Sequence, residues 1–520
     1  MGRHALLLAS TLVLGCASAT EGIYGKHDLG GVGGGDGNLD GGNGYTGDDQ
    51  GTPVTVPDLA NPLATCIVPM IGEWCPTPIY VSTTGNDSLS GSTPANAVQH
   101  VNIGIIRALT CGPPSCVVVI AGGNYDEQVL LHEGVSLYGG YSSDFSSRDP
   151  AMNNVTLTSK EDRAVVADGL VLATRIDGVT IQGANLTTSD GRSSYGLWVS
   201  NSHSALTVAG TTIKAGQGAR GVPGNPGVVR SCGAVGASGG TAYDCGGSTG
   251  GFGTAAGDPV SGGTAGTGGS SNCPDACPLV GSDGISDGDD GTPGNNGMQG
   301  PGGAPTGEIF GSFVNGHWKG TDGSPGERGL NGTGGGGGGS GGTKRIRVCF
   351  GCGTLIGGRG GDGAPGGCGG GGGDPGGPGG GAFAVLLDSS DVVLDTVTVS
   401  GGHGGPGGTG GDGKDGQGGS TSVDNGRQDE SSSKCGLINY HSGHGGHGGV
   451  GGKGGAGGGG AGGVGGASVT LVRLGSSLVT KSGNVQVTQG SAGPGGAGGK
   501  GPGTAGQDGT AGAVAAERSY

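Results

Sequence analysis

The fold is decided by a short stretch of sequence that occurs three times. It reads YGLWVSNS at 195–202, AFAVLLDS at 382–389 and ASVTLVRL at 467–474. Each copy is followed by a second apolar run that ends in glycine, and each then opens into a glycine-rich tract. A strand–turn–strand unit that recurs with insertions on one side is typical of a solenoid. Because no helix-length segment separates the strands, we expect an all-β chain built as a parallel β-helix.

Short strands are also predicted before these repeats, and one helix with them. The strand runs are rich in Val, Ile and Leu and are bounded by Gly, Asp or Asn; they lie at 79–81, 117–120, 129–131, 135–138, 155–157, 164–166 and 179–181. Thr93 and Pro94 read as the N-cap and first residue of a helix. Apolar residues then follow helical spacing from Val98 to Leu109.

The stretch from 79 to 141 resembles the start of right-handed parallel β-helix domains of the pectate-lyase-like superfamily, and more narrowly the DUF1565 type. The matching pieces, besides the helix after Thr93, are IYVS at 79–82, TGND at 84–87, IAGGNY at 120–125 and GVSLYGGY at 134–141. The resemblance implies a right-handed solenoid and often a cell-surface location, but no activity. Lyases of the superfamily use Asp-bound calcium and a catalytic Arg or Lys, and the sequence contains no local match to those motifs.

Composition excludes several function classes. Glycine supplies 139 of 520 residues, and the formal net charge is -16. Glycine is unfavourable in helices by about 1 kcal/mol per residue relative to Ala, so a compact helical enzyme is excluded. No basic stripe offsets the acidic balance, which argues against a nucleic-acid partner.

The glycine-rich tracts keep glycine at every third position over several stretches, for example from Gly288 to Gly300. They resemble the tracts of PGRS-type bacterial surface proteins. Two interpretations stay open: flexible loops, or packed extended helices of the polyglycine II kind, whose three-residue turn places every third Cα on one side.

These features divide the chain into eight consecutive regions. They are a signal peptide at 1–15, a Gly/Asp-rich tether at 16–65, an N-terminal β-helix with a capping helix at 66–215, a glycine-rich insertion at 216–345, a β-helix coil region at 346–400, a second glycine-rich insertion at 401–466, a further coil at 467–490 and a glycine-rich tail at 491–520.

The N-terminus carries an export signal, in which a basic pair precedes an apolar run too short to span a bilayer. Two processing sites compete. Leu12 to Cys16 resembles a bacterial lipoprotein signal, in which Cys16 becomes the lipidated N-terminus, and Ala17 to Ala19 fits an ordinary cleavage site. The lipoprotein interpretation is favoured, since Cys16 ends the apolar run. It predicts a lipid-anchored protein of the bacterial cell envelope, at the outer membrane or cell surface.

Cysteine parity agrees with export, because 13 cysteines less Cys16 leave an even number. We expect all of these to form disulfides: Cys66, Cys75, Cys111, Cys116, Cys232, Cys245, Cys273, Cys277, Cys349, Cys352, Cys368 and Cys435. Pairing of sequence neighbours is the simplest guess, with Cys368 and Cys435 left over, but sequence does not fix connectivity. Cys349 and Cys352 could form a redox motif, although the surrounding glycines favour a structural bridge.

Three patterns are candidate metal sites, and none implies a firm cofactor. Asp36, Asn38 and Asp40 match the first half of a calcium-binding loop, but no Glu stands at its last position and a plain tether is favoured. His441, His444 and His447 are spaced by three, so two imidazoles could share one Zn, Cu or Ni ion; a solvated polar ridge is the favoured alternative. Three GGxGxD stretches end at residues 362, 374 and 412 and match the core of a calcium-binding β-roll repeat. The large aliphatic residue expected two places after each Asp is missing, so a chance match in glycine-rich sequence is favoured.

We therefore expect an exported surface lipoprotein with a structural, adhesive or matrix-display role and no catalysis. Its partners would be the membrane, through the lipid, and extracellular polysaccharide or other surface proteins. The alternative is a polysaccharide lyase or hydrolase, or a carbohydrate-binding β-helix protein.

Overall fold

The chain is nearly all β, with parallel sheets and almost no helix, as the sequence predicts. The computed structural model describes residues 78–110, 117–203, 206–233, 235–243, 245, 251, 262–274, 284–348, 351–421, 431–433 and 439–520. Helix α1 spans Val101–Thr110, and a short 3-10 turn spans Pro94–Asn96. Within these ranges, no helix combines the length and apolar character needed to cross a membrane.

Strands account for most of the regular structure. Those before the first long insertion are β1 (Ile79–Val81), β2 (Val117–Ala121), β3 (Gly123–Asp126), β4 (Val129–Leu130), β5 (Ser136–Tyr141), β6 (Val155–Thr158), β7 (Arg163–Asp168), β8 (Thr174–Asp177), β9 (Thr180–Gln182), β10 (Ser194–Ser200), β11 (Leu206–Ala209) and β12 (Thr212–Lys214). Later strands are β13 (Ser312–Val314), β14 (His317–Lys319), β15 (Lys344–Val348), β16 (Gly351–Leu355), β17 (Ala382–Asp388), β18 (Asp391–Asp395), β19 (Thr398–Ser400), β20 (Ser431–Ser433), β21 (Asn439–His441), β22 (Ser468–Leu474), β23 (Leu478–Ser482), β24 (Gln486–Thr488) and β25 (Val514–Ser519).

Three parallel sheets stack these strands coil upon coil. The first sheet has the order β1-β2-β5-β8-β11-β18-β23, the second β25-β22-β17-β10-β7-β4, and the third β24-β19-β12-β9-β6-β3. From β2 onward the chain visits the first, third and second sheet in turn, interrupted by three antiparallel hairpins. This periodic order is consistent with a parallel β-helix.

The corners between sheets repeat a left-handed backbone conformation. The corner after the second sheet has positive φ at Gly169, Asn201, Ser389 and Gly475 in successive coils; the corner after the first sheet has it at Gly178, Gly210, Thr396 and Gly483. Glycine adopts this conformation without a steric penalty, and Asn tolerates it better than a β-branched residue does. Thr396, at φ 56°, is therefore the corner residue with the most backbone strain among those described.

The core is an aliphatic column inside the coils. In the first sheet, fully buried Leu137, Ile176, Val208 and Leu394 lie in register from coil to coil. The next position in that column is Lys481, and its ammonium forms an ion pair with Glu517, which ends the equivalent column of the second sheet. Inward-facing charge at an end strand discourages further strands from adding there.

The first coil is covered by α1, which begins later than the sequence predicts. Thr93 and Pro94 start only the 3-10 turn, and Thr93 makes no side-chain cap hydrogen bond. The N-terminal amides of α1 are instead capped from a distant strand end, because the Glu127 carboxylate accepts hydrogen bonds from Val101 N (2.7 Å) and Asn102 N (3.1 Å). Burial raises the pKa of Glu127.

All long insertions leave the third sheet and return to the second. They connect β12 to β17, β19 to β22 and β24 to β25, whereas the corresponding connection from β9 to β10 takes only residues 183–193. They therefore gather on one edge of the stack. Residues 357–381, assigned above to a coil region, run with these insertions, and the C-terminal tail returns to the second sheet as β25.

Candidate functional surfaces

The insertions pack side by side into what we call the glycine bundle. Its described segments are 216–230, 235–243, 262–272, 284–305, 323–343, 357–381, 401–420, 442–466, 490–501 and 503–513. Backbone hydrogen bonds join neighbouring segments at every third residue; Gly358, Gly361 and Ala364 donate to Gly443, Gly446 and Gly449, each at 2.8 Å. A three-residue repeat in both partners indicates extended helices with three residues per turn.

Glycine is required in this bundle by the closeness of neighbouring backbones. A Cβ added at Gly463 would lie 2.6 Å from the carbonyl carbon of Gly377 and 2.8 Å from the oxygen of Gly376, inside the 3.0 Å limit of real Cβ contacts. Comparable collisions with backbone atoms arise throughout the segment 442–466. The interior of the bundle is therefore made of peptide groups rather than of side chains.

The density of glycine follows the number of neighbouring segments. Residues 457–466 bond to segments on all sides, and eight of these ten residues are glycine, with Ala461 and Val464 as the exceptions. The peripheral segment 284–305 instead has glycine at every third position from Gly288 to Gly303, and most of the residues between them are exposed. Residues larger than glycine therefore occur at positions that face solvent and not the backbone of a neighbouring segment.

Polar side chains satisfy amides that the segments leave open. Asp287 Oδ1 accepts from His444 N at 2.7 Å, and Asp290 Oδ1 accepts from His447 N at 2.6 Å. Asn296 Oδ1 does the same for Lys453 N at 2.8 Å. Successive contacts are three and then six residues apart on one segment, and likewise on its parallel neighbour. The Asp and Asn side chains of this edge therefore join these two segments.

His441, His444 and His447 form one exposed row on the edge of the bundle. Neighbouring backbone positions in such a row are about 9 Å apart at three residues per turn. Across the described residues, no three His, Cys, Asp or Glu side chains come together in a way that could hold a metal ion. A metal held by two of these imidazoles stays a prediction.

The aspartates of the three GGxGxD stretches are all used as hydrogen-bond acceptors inside the bundle. Asp362 accepts from Gly239 N (2.6 Å) and Arg359 (2.6 Å), Asp374 from Asn225 (3.2 Å) and Asp412 from Lys500 N (2.7 Å). Three of these four contacts join one bundle segment to another, and calcium binding by the motif stays untested. The calcium-loop candidates Asp36, Asn38 and Asp40 lie outside the described residues.

Disulfides tie the bundle, and sequence-neighbour pairing is wrong for the cysteines that can be compared. Cys232 pairs with Cys368 and Cys245 pairs with Cys273, so neither Cys232–Cys245 nor Cys273–Cys277 forms. Packing between segments that are far apart in sequence decides the partner, and the spacing of cysteines along the chain cannot reveal it. Cys352 is also disulfide-bonded. The remaining candidates, Cys16, Cys66, Cys75, Cys111, Cys116, Cys277, Cys349 and Cys435, lie outside the described residues.

An aromatic cluster on the outer face of the second sheet anchors the bundle to the coils. Trp318, on the β13–β14 hairpin, is buried, and its backbone N–H donates to the Tyr195 hydroxyl at 2.9 Å. Tyr195 stacks on Phe383 with centroids 5.2 Å apart, and burial raises the pKa of its phenol. Sequence reasoning missed this hairpin, although Asn315-Gly316 between aromatic residues is a strong hairpin signal.

A second aromatic patch lies on the outer face of the first sheet. Tyr138 and Tyr141 are half-buried, and burial raises the pKa of both phenols. The Arg148 guanidinium lies 5.6 Å from the Tyr138 ring centroid and 5.9 Å from that of Tyr141. Asp177 accepts from Arg148 (2.5 Å) and Arg175 (2.7 Å). The patch presents aromatic edges beside paired charges, an arrangement able to contact a polar ring.

Comparisons with known proteins leave the family open. No protein-family model matches the chain, and no curated protein matches it either. Among solved structures, a likeness is found to the pectin methylesterase from Aspergillus niger in deglycosylated form, at 16% identity and a TM-score of 0.18. The match covers 29% of this chain and 49% of that structure, so about half of the esterase is spanned. A likeness at this TM-score carries no argument about function.

Proposed function

We propose that this chain is an exported surface protein with a structural or adhesive role, in which a β-helix displays the glycine bundle. In this proposal the coils form a right-handed parallel β-helix of the pectate-lyase-like, DUF1565-related type, and the insertions are polyglycine II helices comparable with PGRS-type tracts. The observation that carries the proposal is the backbone hydrogen bonding that joins the bundle segments at every third residue. Such packing holds the glycine-rich segments in one defined conformation. A flexible tether has no use for a defined conformation, so the packing favours a display role.

The bundle suits display because it is long and carries its side chains outward. Residues 357–381 would extend for roughly 75 Å at about 3.1 Å per residue. Exposed side chains on peripheral segments repeat every three residues, so they form straight rows on a stiff support. Extracellular polysaccharide or other surface proteins are the partners that such rows would meet.

Attachment through a lipid on Cys16 completes the proposal and places the protein at the bacterial outer membrane or cell surface. Intact-mass analysis of membrane-extracted protein tests it. A mass that includes a lipid on an N-terminal Cys16 is expected, whereas a mature chain starting at Thr20 would contradict the anchor.

Trimming the bundle tests the display role. The short connection at 183–193 offers a template, since it joins the third sheet to the second without entering the bundle. Replacing residues 217–380, 402–466 and 490–512 by connections of this kind should leave the circular dichroism of the coils intact and abolish attachment of expressing cells to matrix-coated surfaces. Unchanged attachment would contradict the proposal.

A second candidate function, carbohydrate binding, is favoured by the aromatic patch on the first sheet. Tyr138→Ala should then abolish binding to a glycan array, whereas Tyr243→Ala, at an exposed tyrosine of the bundle, should not. An array that gives no signal with the unmodified chain, in calcium or without it, would exclude this candidate. Release of unsaturated products from pectin or alginate would instead favour the lyase alternative.

A further inference from the structure

The two disulfides with both cysteines described lie within or at the ends of glycine-bundle segments, the bonded Cys352 lies on the β15–β16 hairpin, and none of these cysteines is in the three parallel sheets. Cys232–Cys368 sits partway along the bundle, next to the contact between Gly227 and Gly371. Cys245–Cys273 lies farther out, beyond the last bonds of segment 235–243. Among the described residues, no cysteine belongs to a strand of the parallel sheets.

The two parts of the molecule are stabilised by different forces. The coils bury a continuous column of Val, Ile and Leu side chains, so apolar burial holds them together. The described interior of the bundle is mostly glycine, with small buried residues such as Ala461 and Val464. Its cohesion comes from peptide hydrogen bonds, which contribute little net free energy each, while glycine loses the most backbone freedom on ordering.

The Cys232–Cys368 pair closes a loop that contains four whole segments of the bundle and part of a fifth. Its sequence separation is 136, and the loop includes segments 235–243, 262–272, 284–305 and 323–343 together with the Trp318 hairpin. The Cys245–Cys273 loop, with a separation of 28, is nested inside it. A covalent closure reduces the freedom of the unassembled chain, more so for a long loop.

We propose that the glycine bundle is an oxidation-dependent module: it assembles when Cys232–Cys368 forms, and it opens on reduction while the β-helix stays folded. The step is a thiol–disulfide exchange. A dithiol reductant attacks, the Cys232–Cys368 S–S bond breaks, both sulfurs leave as thiols, and the reductant becomes its own disulfide. Two electrons pass to the protein with two protons, and the reverse exchange with an oxidising disulfide rebuilds the bond.

Hydrogen exchange on the full chain tests this module. Exchange is measured by mass spectrometry for the oxidised chain, for the chain in dithiothreitol, and for a Cys232→Ser, Cys368→Ser variant. Peptides from 323–343 and 442–466 should exchange roughly 100-fold faster in the reduced chain and in the variant. Peptides from β10 and β17 should keep their protection in all three samples.

A Cys245→Ser, Cys273→Ser variant is the matched control, since it removes the small nested loop only. Faster exchange should then be confined to segment 262–272 and its neighbours at the outer end. Unchanged exchange of 442–466 after reduction would overturn the proposal, and so would equal loss of protection in β10 and β17, because the bundle would then not open separately.

Discussion

Substituting Gly463 by alanine is the sharpest test of the backbone packing in the bundle. Gly463 donates to Gly408 O and accepts from Gly496 N, each at 2.9 Å, so its segment is bonded on two sides. The added methyl group would meet the backbone of Gly376 and Gly377 inside the 3.0 Å limit. Since backbone cannot rotate away as a side chain can, the neighbouring segment must move.

The size of the effect follows from the contacts that are lost. Moving residues 376–379 outward weakens the bonds Gly376 N to Ala461 O and Gly379 N to Val464 O, both 2.8 Å. Two such bonds contribute about 2 kcal/mol together, and overpacking adds about 1–3 kcal/mol. Alanine restricts the open chain and offsets this by about 0.5 kcal/mol. Local stability should therefore fall by about 2.5–4.5 kcal/mol.

Hydrogen exchange of the peptides covering 442–466 measures this loss directly. A decrease of about 2.5–4.5 kcal/mol corresponds to exchange roughly two to three orders of magnitude faster. Gly418→Ala is the control, because a Cβ at Gly418 meets nothing within 4 Å in the same bundle; its exchange should stay the same or slow slightly. Equal effects of the two substitutions would refute the packing argument.

Three further predictions concern the coils. Thr396→Gly removes a β-branched residue from a left-handed corner and should raise the free energy of unfolding by about 1 kcal/mol in a denaturant titration; a decrease would contradict the strain. The hydrogen bond with Asp87 raises the pKa of His100, so protonated His100 stabilises the fold fully below pH 6.5, and this stabilisation is lost as the pH rises through the raised pKa. Melting temperature measured against pH should show this loss in the unmodified chain and not in a His100→Gln variant. Replacing Lys481 and Glu517 together by leucine should make the chain self-associate in light scattering, because the charged pair no longer keeps further strands from adding to the end strands. A chain that stays monomeric would show that other features protect this end of the sheets.

The coils were predictable because their signal is local. An apolar strand and its following turn repeat in YGLWVSNS, AFAVLLDS and ASVTLVRL, and these became β10, β17 and β22 in one sheet and in register. These strands are apolar on both faces, and both faces are buried, one in the core of the coils and the other under the aromatic cluster. The class of fold therefore followed from sequence alone.

Features that depend on distant partners were not predictable. Helix α1 begins at Val101 because Glu127, on another element, caps it, and no local pattern reports that. Cys368 stands among glycines, and its partner Cys232 is set by how two bundle segments lie together. The choice between flexible loops and packed helices likewise stayed open, because a glycine at every third position fits both until neighbours are known.

The three-residue turn of the bundle also governs which changes of length its segments can accept. Removing one residue from segment 442–466 would rotate every position after it by about 120° around the axis. Side chains such as Val450 and Lys453, which face solvent, would then turn toward neighbouring backbone, and glycines would turn outward. Removing three residues shortens the segment by about 9 Å and restores every face. Insertions and deletions in the bundle should therefore be tolerated in multiples of three, whereas in the coils a whole circuit of the three sheets is the smallest unit that can be gained or lost.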